Sequence, residues 1–148
     1  MKLVKESLHS FEKKHDPLSS LGVGKKSLIE KWLKEMEINR HLIREDLTID
    51  VYDGVGLDDI DIKEFPNYIQ FNKVDEFFSC SYCGLITLKG FPKIVNGPFW
   101  INNNNLTSLE YSPKYVNGIF DCRNNAIKFT TEDVRNRCRV LIDKDILL

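Results

Sequence analysis

No stretch of the 148 residues approaches the roughly 18 to 20 consecutive apolar side chains that a spanning helix needs, so no transmembrane helix is expected. The opening Met1-Lys2-Leu3-Val4-Lys5-Glu6 lacks the apolar core of a secretory signal, and a cytoplasmic location is expected. An excess of either charge is also missing. With 21 Lys+Arg against 22 Asp+Glu the formal charge is -1, which opposes a generic phosphate-backbone binder and leaves room only for a local basic patch. Histidine is scarce: His9, His15 and His41 all fall in the first 41 residues, and no Ser or Cys stands with a visible base and orienting partner. Cys80-Ser81-Tyr82-Cys83 is a C-x-x-C, but no second paired motif exists, since Cys122 and Cys138 lie far along the chain. Without an export signal the four cysteines read as thiols, and neither a metal nor a cofactor is expected. Length and 42% apolar content fit one ordinary domain.

What the sequence does contain is an internal repeat of about 21 residues. Phe78, Phe99 and Phe120 align, as do Cys80, Ile101 and Cys122, then Leu85, Leu106 and Ile127, with Val74, Val95 and Val116 ahead of them. A more divergent copy, Val55, Leu57, Ile62 and Phe65, precedes Phe78, Cys80, Leu85 and Leu88 by 23 residues, which makes roughly four coils. Each unit alternates apolar side chains over a short strand, turns at a polar corner occupied by Cys83, Asn104 or Asn125, and returns inward at residues such as Leu106 and Leu109. One unit cannot bury its apolar side alone. Stacked units share a core and pair their strands, so a short solenoid is expected.

The pattern resembles the leucine-rich repeat, L-x-L-x-x-N/C-x-L, with Cys83 standing where Asn104 and Asn125 stand. More narrowly, it is similar to small leucine-rich-repeat-like proteins of large tailed bacteriophages, with units of the form V-x-G-x-F-x-C-S-x-N-x-L-T-S-L-x-G-x-P. Val74 to Cys83 with Leu85-Ile86-Thr87-Leu88-Lys89-Gly90-Phe91-Pro92 carries the resemblance, as does Val95-Asn96-Gly97-Pro98-Phe99 with Leu106-Thr107-Ser108-Leu109. It extends to Asp46-Leu47-Thr48-Ile49-Asp50-Val51 and to Asp16-Pro17-Leu18-Ser19-Ser20-Leu21-Gly22, about two thirds of the chain. The resemblance implies an α+β, leucine-rich-repeat-like solenoid of about four coils. It also implies a phage-encoded protein acting on a host defence or metabolic protein.

The flanks read as caps on a single domain. Residues 1–24 are expected to form an N-terminal arm, with Val4, Leu8 and Phe11 spaced to line a short amphipathic helix, followed by a loop at Asp16-Pro17, Gly22 and Gly24. Residues 25–45 form a capping helix, with a capping box at Ser27-Leu28-Ile29-Glu30 and an apolar stripe of Leu28, Ile29, Trp32, Leu33 and Met36 ending near Glu37. The solenoid covers 46–130. In the C-terminal cap, 131–148, Val134, Cys138 and Leu141 at helical spacing predict a helix over 131–142 behind Thr130-Thr131-Glu132-Asp133. Only Gly24-Lys25 of Gly22-Val23-Gly24-Lys25-Lys26-Ser27 fits a phosphate loop, and Asp58-Asp59-Ile60-Asp61 lacks calcium-loop spacing and reads as solvated surface.

The outward strand positions are the candidate site. Alternation turns Phe77, Ser79, Ser81, Pro98, Trp100, Asn102, Ile119, Asp121 and Arg123 away from the core and stacks them into three ladders. Trp100 beside Phe and Ile, rimmed by Asp and Arg, has the composition of a protein-binding hot spot, provided the terminal helices do not fold over it. A non-enzymatic protein-binding module is therefore expected. Two other readings use different features. Lys5, Lys13, Lys14, Lys25, Lys26, Lys31, Lys34, Arg40 and Arg44 would serve a nucleic-acid-binding accessory protein, although acidic Asp46 to Glu64 follows directly and points to internal pairing. Repeat edges and an apolar face would serve a self-assembling virion component or homo-oligomer.

Overall fold

The computed structural model describes residues 22–148, so the expectations for residues 1–21, including His9, His15, Lys5, Lys13 and Lys14, lie outside the described residues. A helix α1 (Gly22–Glu35) leads into strands β1 (His41–Ile43), β2 (Ile49–Val51) and β3 (Val55–Gly56). Three pairs follow: β4 (Phe71–Val74) and β5 (Phe78–Ser79), β6 (Ile94–Val95) and β7 (Phe99–Trp100), β8 (Tyr115–Val116) and β9 (Phe120–Asp121). The chain ends with a short helix α2 (Thr131–Arg135), β10 (Arg139–Val140), a 3-10 turn and β11 (Ile146–Leu147).

Each turn of chain lays one strand on each of two sheets. Sheet 1 runs β1-β2-β4-β6-β8-β10 and sheet 2 runs β3-β5-β7-β9-β11, with every neighbour parallel except the antiparallel β1-β2 pair. The molecule is thus a short solenoid of about four coils, to which β10 and β11 add one more strand on each sheet. Phe78, Phe99 and Phe120 lie directly across from one another, and Val55 lies across from Phe78, as the 21- and 23-residue offsets predict. One difference is the second sheet. Val74, Val95 and Val116 align in the repeat because they form a strand of their own in each coil.

The core lies between the sheets. Phe65 and Phe91 stack at 4.6 Å, Phe71 and Phe78 meet edge-on at 5.5 Å, and Phe99 sits 6.1 Å from Phe78 and 5.2 Å from Phe120. This aromatic spine reaches α1 through Trp32, whose ring lies 5.4 Å from Phe65. Ile29, Trp32, Leu33 and Met36 are buried, so the apolar stripe of the helix is the face that packs.

The corners are built by side chains that bond backbone. Asn104 is buried and its Oδ1 accepts from the Cys83 and Leu85 amides at 2.9 and 3.1 Å, while its Nδ2 donates to the carbonyls of Cys80 and Ile101 at 2.8 and 3.0 Å. Asn125 repeats the pattern one coil later, donating to Ile101 and Cys122 and accepting from the Leu106 amide. Cys83 donates its thiol to the Leu57 carbonyl at 3.0 Å. One residue before each of these corners, Tyr82, Asn103 and Asn124 adopt left-handed φ of 57°, 59° and 55°, and Asp59 does so in the first coil at 62°. Asn and Asp tolerate that region, whereas Tyr82 is held there by its coil.

Four expectations are corrected. Ser27 stands inside α1, so it is not a cap, and Gly22 and Gly24 are helical rather than a loop. The C-terminal helix stops at Arg135 although its capping box is present, with Thr130 and Asp133 exchanging bonds of 2.8 and 3.1 Å. Beyond it the unpaired edge of sheet 1 recruits Arg139 and Val140 as a strand, and Leu141 ends exposed instead of buried. Ile127 is likewise exposed, and Phe129 takes the interior place before α2. Arg40 and Arg44 pair with Asp53 and Asp50 at 3.0 and 3.1 Å, the internal pairing that the alternation of charge along the chain implies.

Candidate functional site

The register of sheet 2 aligns Ser79 with Trp100 and Trp100 with Asp121. Phe77 is exposed, Pro98, Trp100, Asn102 and Ile119 are half-buried and Arg123 is exposed. Ser79, Ser81 and Asp121, by contrast, are buried, which corrects the expectation that all nine positions face outward to solvent. The reason is lateral bonding between neighbouring coils. Ser79 Oγ donates to Asp58 Oδ1 at 2.6 Å, Ser81 Oγ donates to Asn102 Oδ1 at 2.7 Å, and Asn102 Nδ2 donates onward to Asn103 at 2.8 Å. Arg123 grips Asp121 through Nε at 3.0 Å and Nη2 at 2.7 Å, while its backbone amide bonds the same carboxylate. That carboxylate raises the Arg123 pKa, keeping the guanidinium charged.

Five of the nine residues, Phe77, Ser79, Ser81, Trp100 and Asn102, line one open groove of about 610 Å³. Pro98, Ile119, Asp121 and Arg123 lie outside it. The groove is completed by Gly56, Asp58, Asp59 and Tyr82, which the outward-ladder reading of the sequence does not include. The signal for them was present. Pairing Val55 with Phe78 at the 23-residue offset puts Gly54, Gly56 and Asp58 in line with Phe77, Ser79 and Ser81. The glycines shape the floor: a Cβ on Gly54 would meet the Phe77 ring at 2.2 Å, so only glycine lets that ring lie where it does. Phe77 then reaches Trp100, with ring centroids 6.0 Å apart.

The groove is acidic. Asp58 spends one carboxylate oxygen on Ser79 and on the Ser81 amide, so it is more than solvated surface. Among the described residues no cation pairs with Asp58 or Asp59, whereas Asp61 nearby is held by Lys63 at 2.9 Å.

The thiols belong to the packing. Cys80, Cys83, Cys122 and Cys138 are unbridged and buried, and among the described residues no group of three His, Cys, Asp or Glu is placed to hold a metal. Burial pushes Cys80 well above its ordinary value of 9.0 and pushes Cys122 and Cys138 up to about 12. The folded chain therefore binds these protons more tightly than the unfolded one, so this contribution to stability is complete below about pH 9 and is lost as pH rises toward 12. At pH 8 a thiol-specific disulfide reagent is expected to label the native protein only slowly and all four cysteines after denaturation. Rapid stoichiometric labelling of the native chain would contradict the buried assignment. His41 donates through Nδ1 to the Ile38 carbonyl, 2.9 Å away, and lines no part of the groove.

No protein family, no curated protein and no solved structure matches the chain.

Proposed function

We propose that the chain is a non-enzymatic binding module that takes a protein partner on the outward face of sheet 2. The supporting observation is the open groove in which half-buried Trp100 pairs with exposed Phe77 inside a rim of Asp58, Asp59 and Asn102. Aromatic centres with polar rims are where binding energy concentrates at protein interfaces. The hydroxyls of Ser79 and Ser81 are committed to Asp58 and Asn102, and among the described residues no histidine lines the groove, so its residues suit recognition better than nucleophilic attack. Its carboxylates, which no cation pairs among the described residues, oppose a phosphate backbone. The resemblance of the repeats to phage leucine-rich-repeat-like proteins makes the proposed partner a host bacterial protein whose activity is modulated by the contact.

Capture from bacterial lysate by immobilised wild type, Trp100→Ala and Lys114→Ala tests this reading. A specific partner is expected with wild type and with Lys114→Ala, which lies beside the opposite sheet, and its recovery should fall tenfold or more with Trp100→Ala. Equal recovery by all three would remove the groove from the interaction.

A further inference from the structure

The chemistry of the groove restricts what its partner presents. Resting on the protein-binding reading, we propose that the groove takes a basic side chain, arginine or lysine, from an extended segment of the partner. Three of the neutral donors of the groove are engaged within the fold: Ser79 donates to Asp58, Ser81 to Asn102, and one N–H of the Asn102 amide to Asn103. What remains open is the second oxygen of Asp58, the carboxylate of Asp59, the rings of Phe77 and Trp100, and exposed Tyr82. Acceptors and π faces together call for a ligand that brings donors and positive charge.

Charge complementarity is local. Among the described residues no Lys or Arg lines the groove, and Arg123, one coil beyond Trp100, is neutralised by Asp121. The charge is also placed at one end. Asp58 lies in the first coil, Ser81 in the second and Asn102 in the third, so at ordinary strand spacing the carboxylate and the Trp100 coil are roughly 10 Å apart. Gly56 and Ser79, both small, leave the floor between them low. A long basic side chain entering over Trp100 would lie along that floor, its stem against the indole and Phe77 and its head at Asp58 and Asp59.

Calorimetric titration of the full chain with a tetra-arginine amide, a tetra-glutamine amide and a tetra-glutamate amide tests the assignment. The arginine peptide is expected to bind saturably and to perturb tryptophan emission through Trp100, because Trp32 is only 1% exposed. Its affinity should fall about fivefold in Asp59→Asn and about tenfold in Trp100→Leu, weaken steeply with salt, and stay unchanged in Glu110→Gln, an exposed carboxylate outside the groove. Asn suits the left-handed φ of 62° at position 59, so that variant keeps the corner. The proposal is overturned if the glutamine or glutamate peptide binds as well, if Asp59→Asn leaves the arginine peptide unaffected, or if Glu110→Gln weakens it equally. A partner captured from lysate through Trp100 but with no preference for the arginine peptide would overturn the charge assignment alone. Capture that ignores Trp100 would overturn the protein-binding reading itself.

Discussion

Replacing Phe99 by alanine is expected to destabilise the fold by about 3–5 kcal/mol, a large part of the roughly 5–15 kcal/mol that holds a domain of this size. The ring is fully buried and touches three others: Phe78 at 6.1 Å, Phe91 at 6.2 Å and Phe120 at 5.2 Å. It is also the link between the second and fourth coils. Because each coil packs only on its neighbours, a void there separates the two ends of the core and leaves little on either side that can close it. Denaturant unfolding of Phe99→Ala beside Thr107→Ala, an exposed control expected within about 0.5 kcal/mol of wild type, measures the effect. A loss below about 1 kcal/mol would mean that the spine does not carry the solenoid.

Asn104→Leu should destabilise by about 3 kcal/mol, although it replaces a side chain with an apolar one of similar size. Leucine fills the space but strands the Cys83 and Leu85 amides and the Cys80 carbonyl, all now bonded to the Asn104 amide inside the core, while the Ile101 carbonyl keeps its bond from Asn125. Asn125→Leu should lose about 1 kcal/mol, since that corner is only partly buried and water reaches the freed groups. The ordering of the two variants, measured by the same unfolding experiment, is the informative result. Equal losses would show that the corner bonds are not limited by burial.

The stack of Phe78, Phe99 and Phe120 was legible because those three side chains have the same job at the same offset, and so were the corner roles of Asn104 and Asn125. The second sheet was harder to see: Ile94-Val95 and Tyr115-Val116 are two-residue strands, too short to show alternation, and their pairing is a property of the stack rather than of the local sequence. The C-terminal rung was hidden for a related reason. Val134, Cys138 and Leu141 do repeat at helical spacing, yet the open edge at Tyr115 and Val116 gains more by pairing with Arg139 and Val140 than a further helical turn would supply. Of the groove, Trp100 and Phe77 could be placed from alternation alone. That Ser79 and Ser81 would be buried could not, because the atoms that cover them belong to Asp58 and Asn102, one coil away on either side.

The steric demand at Gly54 shows how specificity in this architecture can be rewritten. The column at 77, 98 and 119 lies outside the buried core, so a change at 98 or 119 alters mainly what is displayed, much as one tile may be exchanged on a wall. Gly54 is different: any larger residue would lift the Phe77 ring and reshape the pocket beside Trp100 without touching a single inward side chain. If the proposed recognition holds, the displayed column at 77, 98 and 119 can vary while the inward columns stay fixed, whereas Ser79, Ser81 and Asp121 belong to both.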